Sequence, residues 1–331
     1  MSLADKIFKE MCTDIIENGS TTENQKVRPH WDDGTPAYTI KQFGVVNRYD
    51  LRKEFPALTI RRTAIKTAAE EILWIYQRHS NNIHDLKAHI WDEWADKDGS
   101  IGKAYGYQIG KEYIHHTEKY NYMDVLANPN EYSMLIYQSA LEIRDKMEAA
   151  RLNRIDVSEP AKYIYKEVSM NQIDAVIYDL KHTPFSRRII TDMWNFEDLH
   201  EMNLQPCCYN VTYNVTDEGY DKLILNMVIN QRSNDVLAAN NWNVCQYAIL
   251  LMMIAQVCDM IPGQIVHCIA DAHIYDRHVD IVKEIIKNEE YDAPKVTLNP
   301  DIKDFYQFTT KDITIENYKW ASDVKDIPIA I

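Results

Sequence analysis

Three short segments hold most of the reactive chemistry of this 331-residue chain: Ser186-Arg187-Arg188, Pro206-Cys207 and Gln231-Arg232-Ser233-Asn234-Asp235. A guanidinium is a planar fork whose N–H groups match phosphate oxygens two at a time. Several arginines together bind a phosphomonoester dianion. The bland alternative for Arg187-Arg188 is a solvated surface pair, the usual fate of adjacent charges. Neither common glycine loop for nucleotide phosphates is present. The six cysteines (12, 207, 208, 245, 258, 268) include no C-x-x-C pair, so zinc and redox readings are weak and no metal is expected.

These residues need elements to hold them. Ile65, Ala69, Ile72 and Tyr76 recur on one face between Thr63 and Arg78, which predicts an amphipathic helix. Tyr209, Val211, Tyr213 and Val215 alternate with polar residues as in a half-buried strand; 216–219 reads as a turn and Leu223 to Ile229 as the returning strand. Val244 to Met260 is apolar nearly all round and predicts a buried helix, stopped by Pro262-Gly263, with another strand over Ile265 to Tyr275. Met123 to Met170 is rich in helix formers and reads as a helical excursion. The layout is a mixed helix-and-sheet domain spanning 1–331 with an insertion.

Composition removes other classes. Hydrophobic residues make up 46%, enough for a sizeable core. Fifty acidic residues against 36 basic ones leave a net charge of −14, so no nucleic-acid partner is expected and an anionic ligand must be captured by a local arginine cluster. Met1 to Ile16 mixes charges throughout, unlike a signal peptide. The longest apolar run, Tyr247 to Ala255, is far short of the roughly 20 residues of a membrane span. The expected home is a reducing cytoplasm, with no membrane association.

Ser186-Arg187-Arg188-Ile-Ile, Trp194-Asn195, Leu204-Gln-Pro206-Cys207, Gln231-Arg232-Ser233-x-Asp235, Asn243 and Asp271-Ala-His273-Ile-Tyr275 follow one another in order. Together they resemble thymidylate synthase, the folate-dependent family. The likeness extends upstream through Glu71-Ile-Leu-Trp74, Ile90-Trp91-Asp92-Glu93-Trp94-Ala95 and Tyr105-Gly106, and down to Ile329-Ala330-Ile331. It covers most of the chain outside about 107–170, where an insertion is expected. The implied fold is α+β, a large mixed, twisted β-sheet flanked by helices. The implied reaction is reductive methylation of dUMP to dTMP. 5,10-Methylenetetrahydrofolate serves as carbon donor and reductant and leaves as dihydrofolate, so no nicotinamide or metal is needed.

The resemblance implies a role for each matching residue, and chemistry supports each. Cys207 is the nucleophile, since a thiolate adds to an electron-poor carbon such as C6 of uracil; Arg232 is the cation expected to favour that thiolate. The bland reading of Cys207 is a small buried hydrophobe. Attack at C6 pushes charge onto O4, where Asn243 can donate while accepting from N3–H. Arg28, Arg187, Arg188, Arg232 and Ser233 are expected to hold the phosphate, and His273 and Tyr275 the sugar 3′-hydroxyl. Arg187 and Arg188 are expected to come across the interface of a homodimer. Asp235, also placed against the nucleotide, is expected to hydrogen-bond the pterin ring of the folate. Ile90, Trp91 and Trp94 form an apolar wall there, with Ala239 and Ile331 nearby. Ordinary core packing explains the tryptophans equally well. Glu71, if partly buried, has a raised pKa and can relay protons through water; Tyr105 is the candidate for helping to remove the C5 proton.

Three departures from the family pattern stand out. Cys208 stands where histidine is usual, Ala239 where glycine is usual, and Asn240-Asn241 where an apolar-proline pair is common. Two rivals follow from the same residues. A dUMP hydroxymethylase would add water in place of hydride, giving a product of different mass. A non-catalytic nucleotide- or RNA-binding regulator would bind deoxyuridylate without turnover.

Overall fold

The structure, a computed structural model, describes every residue except Met1, Arg154, Asp156, Ser158, Lys325 and Asp326. Two compact units emerge: one is Met1–Lys111 with Gln172–Ile331, the other Glu112–Asn171.

In the first unit, Ser2 caps α1 (Leu3–Asn18) by accepting from the Ala4 N–H. Buried Ala4, Phe8, Met11, Cys12 and Ile15 follow the helical period, a stripe that the scattered charges of this segment mask in the sequence. Strands β1 (Ser20–Thr21) and β2 (Thr39–Asp50) come next. β2 was not anticipated, because Gly44 at φ 73° breaks the alternation and leaves Phe43 91% exposed. α2 (Ile65–Tyr76) fills the helix predicted over 63–78, and α3 (Gly106–Gly110) is a single short helix.

The second unit holds β3 (Tyr113–Asn121), α4 (Tyr122–Ala127), α5 (Met134–Leu152) and β4 (Tyr163–Met170). The two helices accompany an antiparallel strand pair that the helix-former count hid. Tyr113, Ile114, Thr117 and Tyr120 against Ile164, Tyr165 and Val168 are the β-branched and aromatic residues that make it. Val125, Ile136, Ala140 and Ile164 form its own small core.

The first unit resumes with α6 (Gln172–His182), β5 (Ile190–Asp192), β6 (Cys208–Thr216), β7 (Ile224–Gln231), β8 (Asn234–Asp235), α7 (Asn240–Val257) and β9 (Ile261–Tyr275). Gln172 ties this return in place: its amide nitrogen donates to the Gln108 and Asp192 carbonyls at 2.8 and 2.7 Å, and its oxygen accepts from the Asp192 N–H at 2.6 Å. α8 (Val279–Ile285), β10 (Lys295–Leu298) and β11 (Ile313–Glu316) complete the chain. The main sheet runs β1-β2-β9-β7-β6-β5, with β8 also on β9; β7 and β8 are parallel to β9 and the other pairs antiparallel. This is the mixed sheet with flanking helices that the sequence implied. Among the described residues no helix is long and apolar enough to cross a membrane.

Two boundaries shift. α7 starts four residues before Val244 and ends before Asp259, which turns the chain at φ 56°. Pro262-Gly263 is not a helix stop but the start of β9. A Cβ on Gly263 would stand 2.4 Å from the Asn226 side chain and the Ile224 methyl, so only glycine lets β9 approach β7 there.

Candidate active site

Cys207 sits one residue before β6, half-buried. A bulge between Cys208 and Asn210 turns Cys208 into the core. Arg232, one residue after β7, brings its Nη2 to 3.8 Å from the Cys207 sulfur. The same guanidinium is braced by the Gln205 and Pro206 carbonyls at 2.7 and 3.0 Å, and the Arg232 N–H donates to the Cys207 carbonyl at 2.9 Å. Tyr105 closes the other side, its hydroxyl accepting from the Cys207 N–H at 3.1 Å. Tyr105 holds φ 49°, and a Cβ on the next residue, Gly106, would meet the Ser80 carbonyl at 2.1 Å. Gly106 is therefore a backbone requirement, whereas Tyr105 holds a strained backbone conformation for the sake of its side chain.

The electrostatics at Cys207 differ from expectation. Burial pushes the thiol up, and the opposing pull of Arg232, Tyr105 and Arg28 leaves it above the ordinary range. Arg232 and Arg28 favour the thiolate, as expected of a cation there, but burial outweighs them. Burial likewise raises the Tyr105 phenol well above its usual pKa.

Glu71 lies on the buried face of α2, which packs on α7. Trp91 Nε1 donates to one carboxyl oxygen at 2.9 Å and Trp242 Nε1 to the other at 2.5 Å. Burial raises its pKa to about 7 against the pull of these indoles. Trp91 stacks edge-on to Tyr105 and Trp94, with ring centroids 4.8 and 5.8 Å apart, so a continuous aromatic wall runs from Glu71 to the Cys207 pocket. Ile90, beside it, is exposed.

Asn243 lies in the first turn of α7. Its Oδ1 accepts from Gln231 Nε2 at 3.2 Å and its Nδ2 donates to Gln246 Oε1 at 3.0 Å. The Ser233 carbonyl receives the same Gln231 nitrogen at 2.9 Å. Asp235 and His273 pair across β8 and β9, and His273 meets Tyr275 edge-on at 5.1 Å. Burial opposes the Asp235 carboxylate, yet His278 beside it and the Ala238 N–H bring its pKa below the usual range. His278 also hydrogen-bonds the Pro328 carbonyl at 2.8 Å, and Ile331 pairs its backbone with His30 at 2.8 and 3.0 Å. The C-terminal segment is thus tied down beside Asp235.

Comparison with known proteins decides what this arrangement belongs to. The family profile described as thymidylate synthase matches residues 6–330. The thymidylate synthase of Bacillus subtilis subsp. natto is 36% identical over 96% of each chain, and that of Bacillus phage phi3T 35% identical over the same shares. The solved thermostable thymidylate synthase A from Bacillus subtilis superposes with a TM-score of 0.76 at 35% identity, covering 99% of each chain. This chain belongs to the thymidylate synthase family.

The departures from the thymidylate synthase pattern have physical settings here. Cys208 is buried, and its pKa is driven well up by burial. Asn241 replaces an apolar-proline step with a buried clasp: Oδ1 accepts from the Leu58 N–H and the Thr63 hydroxyl at 3.0 and 2.7 Å, and Nδ2 donates to the Pro56 carbonyl at 2.8 Å. Asn240 bonds Asn234 at 3.2 Å. Ala239 is half-buried just ahead of α7, its N–H on the Asp235 carbonyl.

Arg187 and Arg188 are not brought into the cluster by contacts within the chain. Both are exposed before β5, and among the described residues neither guanidinium has an acidic partner. Three residues near the site escaped the sequence reading. Trp242 stands between Asn241 and Asn243 with no signal of its own in the sequence. His278 had the signal of standing three residues after Tyr275. Arg61 is buried within electrostatic reach of Asp235, and its Nε has no hydrogen-bond partner among the described residues. Its doublet with Arg62 was the available sign.

Proposed function

We propose that this member of the thymidylate synthase family methylates dUMP to dTMP with Cys207 as the attacking thiol and methylenetetrahydrofolate as carbon donor and reductant. The observation that carries this reading is the Arg232 guanidinium 3.8 Å from the Cys207 sulfur, with the Tyr105 hydroxyl on the Cys207 N–H. A guanidinium there can meet both a thiolate and a phosphate.

In this reading Arg28, Arg232 and Ser233 take the phosphate, and His273 and Tyr275 the sugar hydroxyl. Asn243 keeps one free lone pair for N3–H and one free N–H for O4, since Gln231 and Gln246 use only one of each. Glu71, with a pKa of about 7, holds or releases a proton near neutrality, as a water-mediated relay to the base needs. Tyr105 positions Cys207 and passes a proton as a neutral phenol. Asp235 reads the pterin, with Trp91, Trp94 and Ile90 covering it, and Ala239 and Ile331 near its edge.

Arg187 and Arg188 reach the site of a second copy in a homodimer. Their exposure without acidic partners among the described residues supports this. Six free cysteines, one of them reactive, suit a reducing cytoplasm.

The test is a spectrophotometric assay of dihydrofolate with purified protein. Formation that depends on both deoxyuridylate and methylenetetrahydrofolate is expected. A hydroxymethyl nucleotide by mass spectrometry, or nucleotide binding without turnover, overturns the reading.

A further inference from the structure

His267 stands in the middle of β9, fully buried, facing the end of β7. Its Nε2 lies 2.6 Å from Gln231 Oε1. Gln231 Nε2 reaches the Ser233 carbonyl and Asn243 Oδ1, and Asn243 Nδ2 reaches Gln246 Oε1. The directions in this chain of amides follow from chemistry. A backbone carbonyl can only accept, so the nitrogen of Gln231 must face Ser233, and its oxygen must face His267. At 2.6 Å that oxygen needs a donor, so His267 carries its proton on Nε2. Among the described residues its Nδ1 has no hydrogen-bond partner, as the unprotonated nitrogen of that tautomer in an apolar setting. The second N–H of Gln231 then fixes Asn243 with its oxygen toward Gln231 and its nitrogen toward Gln246.

We propose that His267 is a specificity-determining positioning residue: through Gln231 it locks the amide of Asn243 in the orientation that reads uracil and refuses cytosine. The inference rests on the reading of Asn243 as the base-recognition residue. Flipping Asn243 would fit cytosine, but it would set nitrogen against nitrogen at Gln231 and oxygen against oxygen at Gln246. Flipping Gln231 to relieve the first clash would set its oxygen against the Ser233 carbonyl and its nitrogen against the Nε2–H of His267. The Ser233 carbonyl and His267 therefore hold Gln231, and through it Asn243, against the flip. Burial lowers the His267 pKa to about 4, so the ring stays neutral and the tautomer holds throughout the neutral range.

The experiment measures kcat/KM for deoxyuridylate and deoxycytidylate in the wild type, His267→Phe and Asn243→Asp, in the presence of methylenetetrahydrofolate. The wild type is expected to prefer deoxyuridylate by roughly one to four decades, the cost of two mismatched buried groups. Asn243→Asp should move the preference toward cytosine. His267→Phe should lower the wild-type preference about five- to tenfold, the weight of one net hydrogen bond. If Asn243→Asp leaves the ratio unchanged, base recognition by Asn243 fails, and this inference with it. If Asn243→Asp shifts the ratio but His267→Phe lowers both kcat/KM values equally, His267 only packs and this inference alone is overturned. A measurement on the unaltered protein guards against a misfolded variant. ¹⁵N NMR of labelled histidine should find His267 protonated on Nε2 at pH 7, and a proton on Nδ1 overturns the proposal.

Discussion

Trp242 places its indole N–H 2.5 Å from Oε2 of Glu71, and this contact joins the first turn of α7 to the centre of α2. An N–H donor favours the ionised carboxyl, so Trp242 works against the burial that raises the Glu71 pKa. Trp91 does the same from the other oxygen.

Trp242→Phe keeps an aromatic ring and removes the donor. The Glu71 pKa should rise further, and the limb of the kcat–pH profile that reports it should move to higher pH. Trp91→Phe should move it in the same direction. Profiles that superpose on the wild type would show that Glu71 does not control that limb.

Glu71 also makes stability depend on pH. Its folded pKa of about 7 stands above the unfolded value of roughly 4.3, so the folded state holds the proton more tightly. That contribution is fully present below the unfolded pKa and is lost as pH rises through the folded one. The Tm of Glu71→Gln minus that of the wild type should therefore grow between pH 5 and pH 8. A difference that is flat or shrinks over that window would contradict the assignment.

Cys207→Ser should abolish turnover and leave deoxyuridylate binding largely intact, because the proposed reading assigns the phosphate and sugar contacts to other residues. Cys208→Ser should keep substantial activity, since that thiol is buried and has no covalent part. Trapping with a 5-fluorinated nucleotide followed by peptide mass spectrometry decides between them, and an adduct on Cys208 reverses the assignment.

Shared sites predict rescue between two dead proteins. Arg188→Ala and Cys207→Ser should each be inactive, and activity should return when their subunits exchange, because one of the two hybrid sites then holds both intact groups. No recovery after exchange verified by native mass spectrometry would mean that each chain builds its site alone.

The rows of chemistry were legible in the sequence because they are local. Arg232-Ser233-x-Asp235 joins the end of β7 to β8, and His273-x-Tyr275 is the end of β9, so the spacing of each survives folding. Glu71 was legible as a helix-edge carboxyl, but its clamp was not. Trp91 and Trp242 lie 20 and 171 positions away, and no periodicity links residues that meet only through tertiary packing. The same holds for His267 and Gln231, whose contact needs the parallel pairing of β7 with β9. Pro262-Gly263 misled for a related reason. Its tight approach to β7 is a requirement of the sheet, whereas in one dimension the pair reads as a helix terminator.

Every residue proposed for the chemistry, from Arg28 to Ile331, belongs to the unit built from Met1–Lys111 and Gln172–Ile331, and none comes from Glu112–Asn171. Gln172 anchors the return of the chain through Gln108 and Asp192, both in that same unit. Selection on turnover alone would therefore act on two separated stretches of sequence and leave the intervening one to drift under its own stability. Removing that stretch would remove none of the residues to which the chemistry is assigned.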